Sequence, residues 1–336
     1  MKKWIKKVLE YNEVKLALIF LAIVVLFSLI NPDVFTVANL YALVRASATN
    51  AIYALAIMIV MCSGAFDASF AVIGSFGAYV TMYILTQNGL DPHPAIVFLI
   101  SILICMALEF LNWFMVSILH LQAYIATTGT ASLLKGAVLV FVSTSYIYTL
   151  PSQIGALGKT YLATAVYGSG IESQLHVSVI FIAVMYLVMH ILMTYTNFGR
   201  QVYAVGADEE AAERAGINVK RIRLIVFLIA GVICGVAGIL RDAVGRFSLP
   251  NPAEVVGKEN ISIAAVILGT GNSSKARGSA LGTLLGVLLM SFISNNLILI
   301  GIPSFYVELA TGVLMYIGLV GQMSNRPRRH SAKEGK

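Results

Sequence analysis

Charge is what this chain has least of. Only 12% of its 336 residues are Asp, Glu, Lys or Arg, 58% are hydrophobic, and the mean hydropathy is +0.85. Soluble domains carry roughly twice that share of charge, so a water-soluble fold is excluded and an integral membrane protein is indicated. Cysteine is sparse too. Cys62, Cys105 and Cys234 lie far apart in apolar runs, without the spacing of a disulfide scaffold or a metal cage, and read as small buried hydrophobes. The five histidines are scattered, and no metal site is expected. No basic stripe interleaved with aromatics is present, which removes nucleic acid from the partners. No Ser–His–Asp set or paired-carboxylate spacing supports catalysis, so the chain is not read as an enzyme. Gly158-Lys159-Thr160 approaches a phosphate-binding loop, but the position that must be the loop's first glycine is Gln153. If ATP drives this protein, another chain hydrolyses it, and this one binds no cofactor.

What is present is a train of apolar segments near 14–30, 50–63, 70–86, 95–119, 122–143, 177–196, 222–240, 261–271, 278–299 and 304–321. A span needs about 20 residues, so 1–336 reads as a single all-α transmembrane domain of about ten helices. Basic residues followed by Leu16 to Ile30 resemble a signal peptide, but no small-residue cleavage site follows, and the segment is read as an uncleaved first span. The cations gather in the N-terminal tail (Lys2, Lys3, Lys6, Lys7), in 200–223, at Lys275 and Arg277, and in the C-terminal tail (Arg326, Arg328, Arg329, Lys333, Lys336). Such clusters mark the cytoplasmic side. Both termini are therefore expected inside, with 197–223 a cytoplasmic loop and 144–176 the longest external one. Arg241, Arg246 and Lys258 then fall outside.

Several segments are too short to cross alone. Residues 50–63 and 70–86 are split by Ser63-Gly64-Ala65-Phe66-Asp67-Ala68-Ser69, and 261–271 is clipped by Gly269, Gly271 and Asn272. Breaks at membrane depth are tolerated where protein buries them or a cavity receives them, and they often mark a solute route. Residues 31–49, around Arg45, suggest a short amphipathic or re-entrant helix at the outer surface. In 144–176, Pro151 and several glycines argue against regular structure. Gly231, Gly235 and Gly238, and again Gly278, Gly282 and Gly286, form small-residue stripes suited to close helix packing. Asp67, Glu109, Lys135, Glu259 and Glu308 lie in or beside apolar runs, where a charge costs roughly 2.5–3.5 kcal/mol and needs a partner or water. Asp67, at a break beside Ser69, is the foremost functional candidate among them.

The long polar interruption, NFGRQVYAVGADEEAAERAGINVKRIR over 197–223, contains a short helix. Asp208 is its expected N-cap, Glu209 and Glu210 place negative charge at the positive end of the dipole, and Gly216 is its left-handed stop. A membrane protein that keeps a capped helix between two spans presents it to something in the aqueous phase.

Four blocks give the chain a resemblance to the ribose-type permease subunits of binding-protein-dependent ABC importers, over roughly 35–321. They are NAIYALAIMIVMCSGAFDASF, with Asp67 and Ser69 of the family's "GID-L-S" break; QAYIATTGT; the FGRQVYAVGADEEAAERAGINVKRIR loop; and IAAVILGTG followed by RGSALGTLLG and NNLILIGIPSFY. The chain departs from the family pattern at Ile261, where an Asp is usual, at Ala71, at Glu109, where a small residue is usual, and in the turn Gly269–Ala276. The resemblance implies a type II importer-like helical bundle in a bacterial-type inner membrane, surrounded by lipid. It implies a second permease subunit, identical or related, two cytoplasmic ATPase subunits that bind ATP and Mg, and an extracytoplasmic solute-binding protein. The cargo would be a sugar or sugar-like solute, with a nucleoside or other small metabolite as alternative. The 208–216 helix corresponds to the segment that docks on the ATPase, with Arg200, Asp208, Glu209, Glu210, Ala211, Arg214 and Gly216 as coupling residues. Asp67, Ser69, Asn112, Tyr124, Thr127, Thr130, Glu259 and Asn295 are the expected pathway residues, since uncharged polar groups can exchange hydrogen bonds with a polyol without trapping it. A proton-coupled secondary transporter using Asp67, Glu109 or Glu259 is the reading from a different class.

Overall fold

Apolar runs bounded by capping side chains become helices throughout a computed structural model of the protein, described here for residues 12–250, 258–270, 278–303 and 305–324. In chain order these are α1 Asn12–Ile30, α2 Val37–Cys62, α3 Phe70–Gln87, α4 Pro94–Trp113, α5 Ala123–Ala137, the short α6 Ser152–Leu157, α7 Ser178–Tyr195, α8 Asn197–Ala207, α9 Glu209–Arg214, α10 Val219–Gly245, α11 Lys258–Thr270, α12 Ala280–Leu299 and α13 Phe305–Ser324. The last turns of α4 and α5 widen into π-helix over Phe114–Ile118 and Val138–Val142. Among the described residues eight helices are long and apolar enough to cross a membrane: α1 to α5, α7, α10 and α12. With α11, of 13 residues, and α13, of 20, they make up the expected ten.

The ten spanning helices alternate in direction along the chain, which sorts the connections into two ends. At one end, here the α9 end, Trp113 Nε1 donates to the Lys220 carbonyl (3.0 Å), the Tyr203 hydroxyl to the Gly278 carbonyl (2.5 Å) and Ser279 Oγ to Glu13 (2.7 Å). There Gly64 and Gly206 also meet backbone to backbone: a Cβ on Gly64 would lie 3.2 Å from Gly206 Cα. At the opposite, hairpin end, Asn31 Nδ2 donates to the Leu299 carbonyl (3.0 Å), and the Tyr79 hydroxyl to the Ser145 carbonyl (2.7 Å). The buried core runs along α2, α3 and α10, where every residue from Ala51 to Val60 is buried. Small residues let α10 sink onto α4, since a Cβ on Gly235 would stand 2.6 Å from Ile102 Cα and one on Gly231 2.8 Å from Met106 Cα.

Three expectations are corrected. Residues 37–49 are not a separate surface helix; they are the first half of α2. Thr36 caps that helix by accepting from the Asn39 N–H (3.2 Å), nothing between Val37 and Cys62 stops it, and the 26 residues cross in one piece. The segment 63–69 is consequently the reversing turn between two spans, at the α9 end.

The segment 144–176, expected outside, is more regular than its glycines suggested. Pro151 opens α6, and β1 Tyr161–Val166 pairs antiparallel with β2 Glu172–His176, Thr164 opposite Gln174. Gly170, at φ +82°, sits in the turn. The hairpin is pinned by Arg246, which donates to the Tyr161 hydroxyl (2.5 Å) and the Gly158 carbonyl (3.4 Å). His176 is buried and its Nδ1 accepts from the Ser178 N–H (3.0 Å). Burial holds its pKa below the ordinary histidine value; the Leu157 carbonyl opposes this, and the charges of Arg45 and Arg246 add to it.

The polar stretch 197–223 likewise holds two helices. Besides the expected short one, α8 lies ahead of it with Gly199, Val202 and Val205 buried, and Thr196 caps it by accepting from the Gly199 N–H (3.1 Å). The basic tails, the pair Lys275/Arg277 and most of the turn 269–276 lie outside the described residues.

Candidate functional site

The turn between α2 and α3 carries a buried polar cluster. Ser63 Oγ donates back to the Val60 carbonyl (2.7 Å), and Gly64 takes φ +79° to reverse the chain, a conformation that favours glycine. Three residues on, Asp67 Oδ1 accepts from both the Ser69 N–H (2.7 Å) and Ser69 Oγ (2.6 Å), fixing the start of α3. Glu109 and Asn112, one turn apart on α4, face this corner. Asn112 Nδ2 donates to Ser69 Oγ (2.8 Å) and to Glu109 Oε2 (3.2 Å), while its Oδ1 accepts from Thr130 of α5 (2.8 Å). Thr127, also on α5, accepts from the Ala68 N–H (3.0 Å). Asp67, Ser69, Glu109, Asn112 and Thr127 have no solvent exposure at all.

One pair in this cluster stands apart. Glu109 faces Asp67, and each leaves one buried oxygen, Asp67 Oδ2 and Glu109 Oε1, without a hydrogen-bond partner among the described residues. Two carboxylate oxygens are both acceptors, so only a proton on one of them lets the pair satisfy itself. Among the described residues no three metal-ligating side chains converge.

Asp67, Ser69, Asn112, Thr127 and Thr130 are thus brought together, and Glu109 joins them. Tyr124 does not: it is 57% exposed and its ring leans on Phe66, with centroids 5.8 Å apart. Asn295 lies near the hairpin end of α12, where it lines a separate cavity. Glu259 falls in α11, outside the residues whose side chains are described.

The second assembly is α9 with its supports. Asp208 caps it, Oδ1 accepting from the Ala211 N–H (3.0 Å). Gly216, at φ +84°, closes it, with its N–H donating to Glu213 (2.9 Å) and that of Ile217 to Ala212 (3.0 Å). Ala212 is buried against the bundle, while Arg200, Glu210, Ala211 and Arg214 point outward. Glu210 pairs with Arg214 (3.0 Å) one turn on, and Arg200 is held by Asn197. Glu209 does something the sequence did not reveal: its two oxygens accept from Arg223 Nη1 (2.9 Å) and Nη2 (2.7 Å), tying α9 to the first turns of α10. The result is a small exposed rod, capped at both ends and fastened to a long transmembrane helix.

The family described as branched-chain amino acid transport system / permease component matches residues 39–319. The ribose import permease protein of Escherichia coli (strain K12) is 28% identical over 315 residues, 92% of each chain. The ribose import permease protein of Bacillus subtilis (strain 168) is 30% identical over 298 residues, 89% of this chain and 88% of its own. The L-arabinose ABC transporter permease protein of Azospirillum brasilense is 25% identical over 323 residues, 96% of this chain and 91% of its own. No solved structure shows significant similarity to this chain.

Proposed function

The chain belongs to this permease family, and on that premise we propose that it is the multi-pass membrane subunit of an ATP-driven importer for a sugar or sugar-like polyol. Permease proteins named for ribose and L-arabinose that align along nearly its whole length support the class of cargo. The single observation that carries the mechanism is α9: six residues, all exposed but Ala212, capped at both ends and joined by Glu209–Arg223 to a 27-residue transmembrane helix.

In this reading α9 and both termini face the cytoplasm, and ATPase subunits dock on α9, Arg200 and Arg214. A second permease copy or a related chain completes the pathway, and a binding protein delivers solute at the hairpin end. When the docked subunits close, α9 moves as a unit because its terminal N–H and C=O groups are already satisfied, and Arg223 passes the movement into α10. The Asp67–Ser69–Asn112–Thr130 cluster sits at the same end, where the solute would leave.

The test is uptake of radiolabelled D-ribose, L-arabinose and D-allose by cells carrying the complete importer. Glu209→Arg together with Glu210→Arg is expected to abolish uptake while membrane insertion persists. Normal uptake by that variant would refute the role of α9. The unpartnered oxygens of Asp67 and Glu109 favour one second reading, proton coupling. Uptake lost to a protonophore while ATP is held constant would select it.

A further inference from the structure

At the hairpin end, beside α2, lies a cavity of about 600 Å³, within the roughly 300–1,000 Å³ range of small-molecule sites. Arg45 from α2, Arg241 from α10 and Asn295 from α12 form its walls, and Tyr167, Glu172 and Gln174 of the hairpin segment line it as well. It is a different place from the Asp67 cluster, which sits at the α9 end.

Its chemistry is balanced. Arg241 is held by buried Asp242 (2.7 Å) and donates to Ser75 Oγ (2.9 Å), so its charge is already met. The wall's other cation, Arg45, is balanced by one charge of opposite sign, Glu172. An ionic solute entering such a space would lose hydration and find no net opposite charge. A hydroxyl fits better, because each one donates and accepts. Arg45 offers donors, Glu172 offers acceptors, Asn295 and Gln174 offer both, and Tyr167 supplies a flat apolar face. The side chains of Arg45, Gln174 and Asn295 make no hydrogen bond to another described residue, which leaves their polar atoms for a ligand.

We propose that this cavity is a solute-holding site, and that it takes a neutral polyol of monosaccharide size in preference to an acidic sugar or a zwitterion. The proposal rests on the sugar-importer reading and adds to it a place and a charge class. The solute would sit between α2, α10 and α12 beneath the hairpin before the pathway opens toward the α9 end.

Cysteine protection on the intact importer tests this directly. The native cysteines are buried, so a small charged methanethiosulfonate should report on Asn295→Cys, with Thr49→Cys as a second position on the same wall and Ser169→Cys, exposed at the hairpin turn, as the control outside it. Whichever of D-ribose, L-arabinose or D-allose the unsubstituted importer takes up should slow labelling at Asn295→Cys and Thr49→Cys at least tenfold. D-galacturonate and L-leucine should leave it unchanged, and Ser169→Cys should react at one rate throughout. A sugar that is taken up yet protects neither position overturns the site and leaves the importer reading standing. Equal or stronger protection by galacturonate or leucine overturns the neutral-polyol class. Absence both of uptake and of protection by any of the sugars overturns the two together.

Discussion

Removing the Glu209 carboxylate is the sharpest perturbation of the link between α9 and the membrane. Arg223 has only 14% of its side chain exposed, against 49% for Glu209, so the guanidinium cannot turn to bulk water when its partner goes. Its Nε has no partner among the described residues, and Glu209→Ala would strip both Nη contacts as well. Hydrogen bonds to a charged group in such a place contribute about 1.5–3 kcal/mol when buried, and less than about 1 kcal/mol when exposed. With one partner half exposed, about 1.5 kcal/mol is the reasonable figure, a roughly tenfold rise in the population with α9 detached. Hydrogen exchange of the Ala211 to Ile217 amides in the membrane-reconstituted importer should therefore lose about tenfold protection, and uptake should fall with it. The swap Glu209→Arg with Arg223→Glu restores opposite charges and should recover most of the protection. Unchanged exchange in Glu209→Ala, or a swap no better than Glu209→Arg alone, would refute the tie. Protection recovered by the swap without uptake would mean instead that Glu209 itself contacts the ATPase.

Further perturbations probe the interior and the hairpin. Thr130→Val leaves Asn112 Oδ1 unpartnered inside the protein and should cost about 1–3 kcal/mol, read as a lower unfolding temperature in detergent. Glu109→Gln should be tolerated far better than Glu109→Leu in the same assay, because the amide supplies an N–H for the unpartnered Asp67 oxygen. Gly235→Leu should overpack the α10–α4 contact by about 1–3 kcal/mol or more, seen as lost thermal stability with membrane insertion retained. For His176, the unfolded ring takes up a proton as pH falls below about 6.5, and the folded ring does so only at lower pH. The hairpin's stability is therefore full above that value and declines as pH drops toward the folded one. Hairpin amides, corrected for intrinsic rates, should exchange faster at pH 5 than at pH 7.5, and His176→Asn should flatten the difference.

Local signals were readable in the chain, and long-range ones were not. Asp208 and Gly216 define α9 through contacts within a few residues, so caps could be assigned from spacing alone. The Asp67–Ser69 corner is equally local. That Glu109 needs a partner followed from its apolar setting, but which partner did not, since Asp67 lies forty-two positions earlier and only the α2–α3 reversal brings it near. Tyr124 was expected on the pathway together with Thr127 and Thr130. Steps of three fall short of a turn, however, and Tyr124 ends up about 120° round the helix from Thr130. Asn295, expected on the pathway with them, lies apart from the cluster for a related reason. Its neighbour Asn296 points into the bundle to accept from Asn39 (2.9 Å), which turns Asn295 toward the cavity. The hairpin was missed because Pro151 and the glycines were read as arguing against regular structure, whereas Gly168 and Gly170 sit in the turn between Tyr161–Val166 and Glu172–His176. Arg45 suggested a surface helix; it is a cation on a continuous span, tolerated because it faces a cavity.

The meeting of Gly64 with Gly206 has a mechanical meaning. Two side chains in contact act as a cushion, since rotamers can shift and absorb a displacement of a fraction of an ångström. Here main chain rests on main chain, with no cushion between them, so the joint is stiff. In the proposed mechanism, a nudge applied to α8 by its short neighbour α9 would reach the corner that holds Asp67 with little damping. The same stiffness makes the joint intolerant of spacers: a single methyl at position 206 would wedge the two segments apart and alter the resting angle of every part that follows.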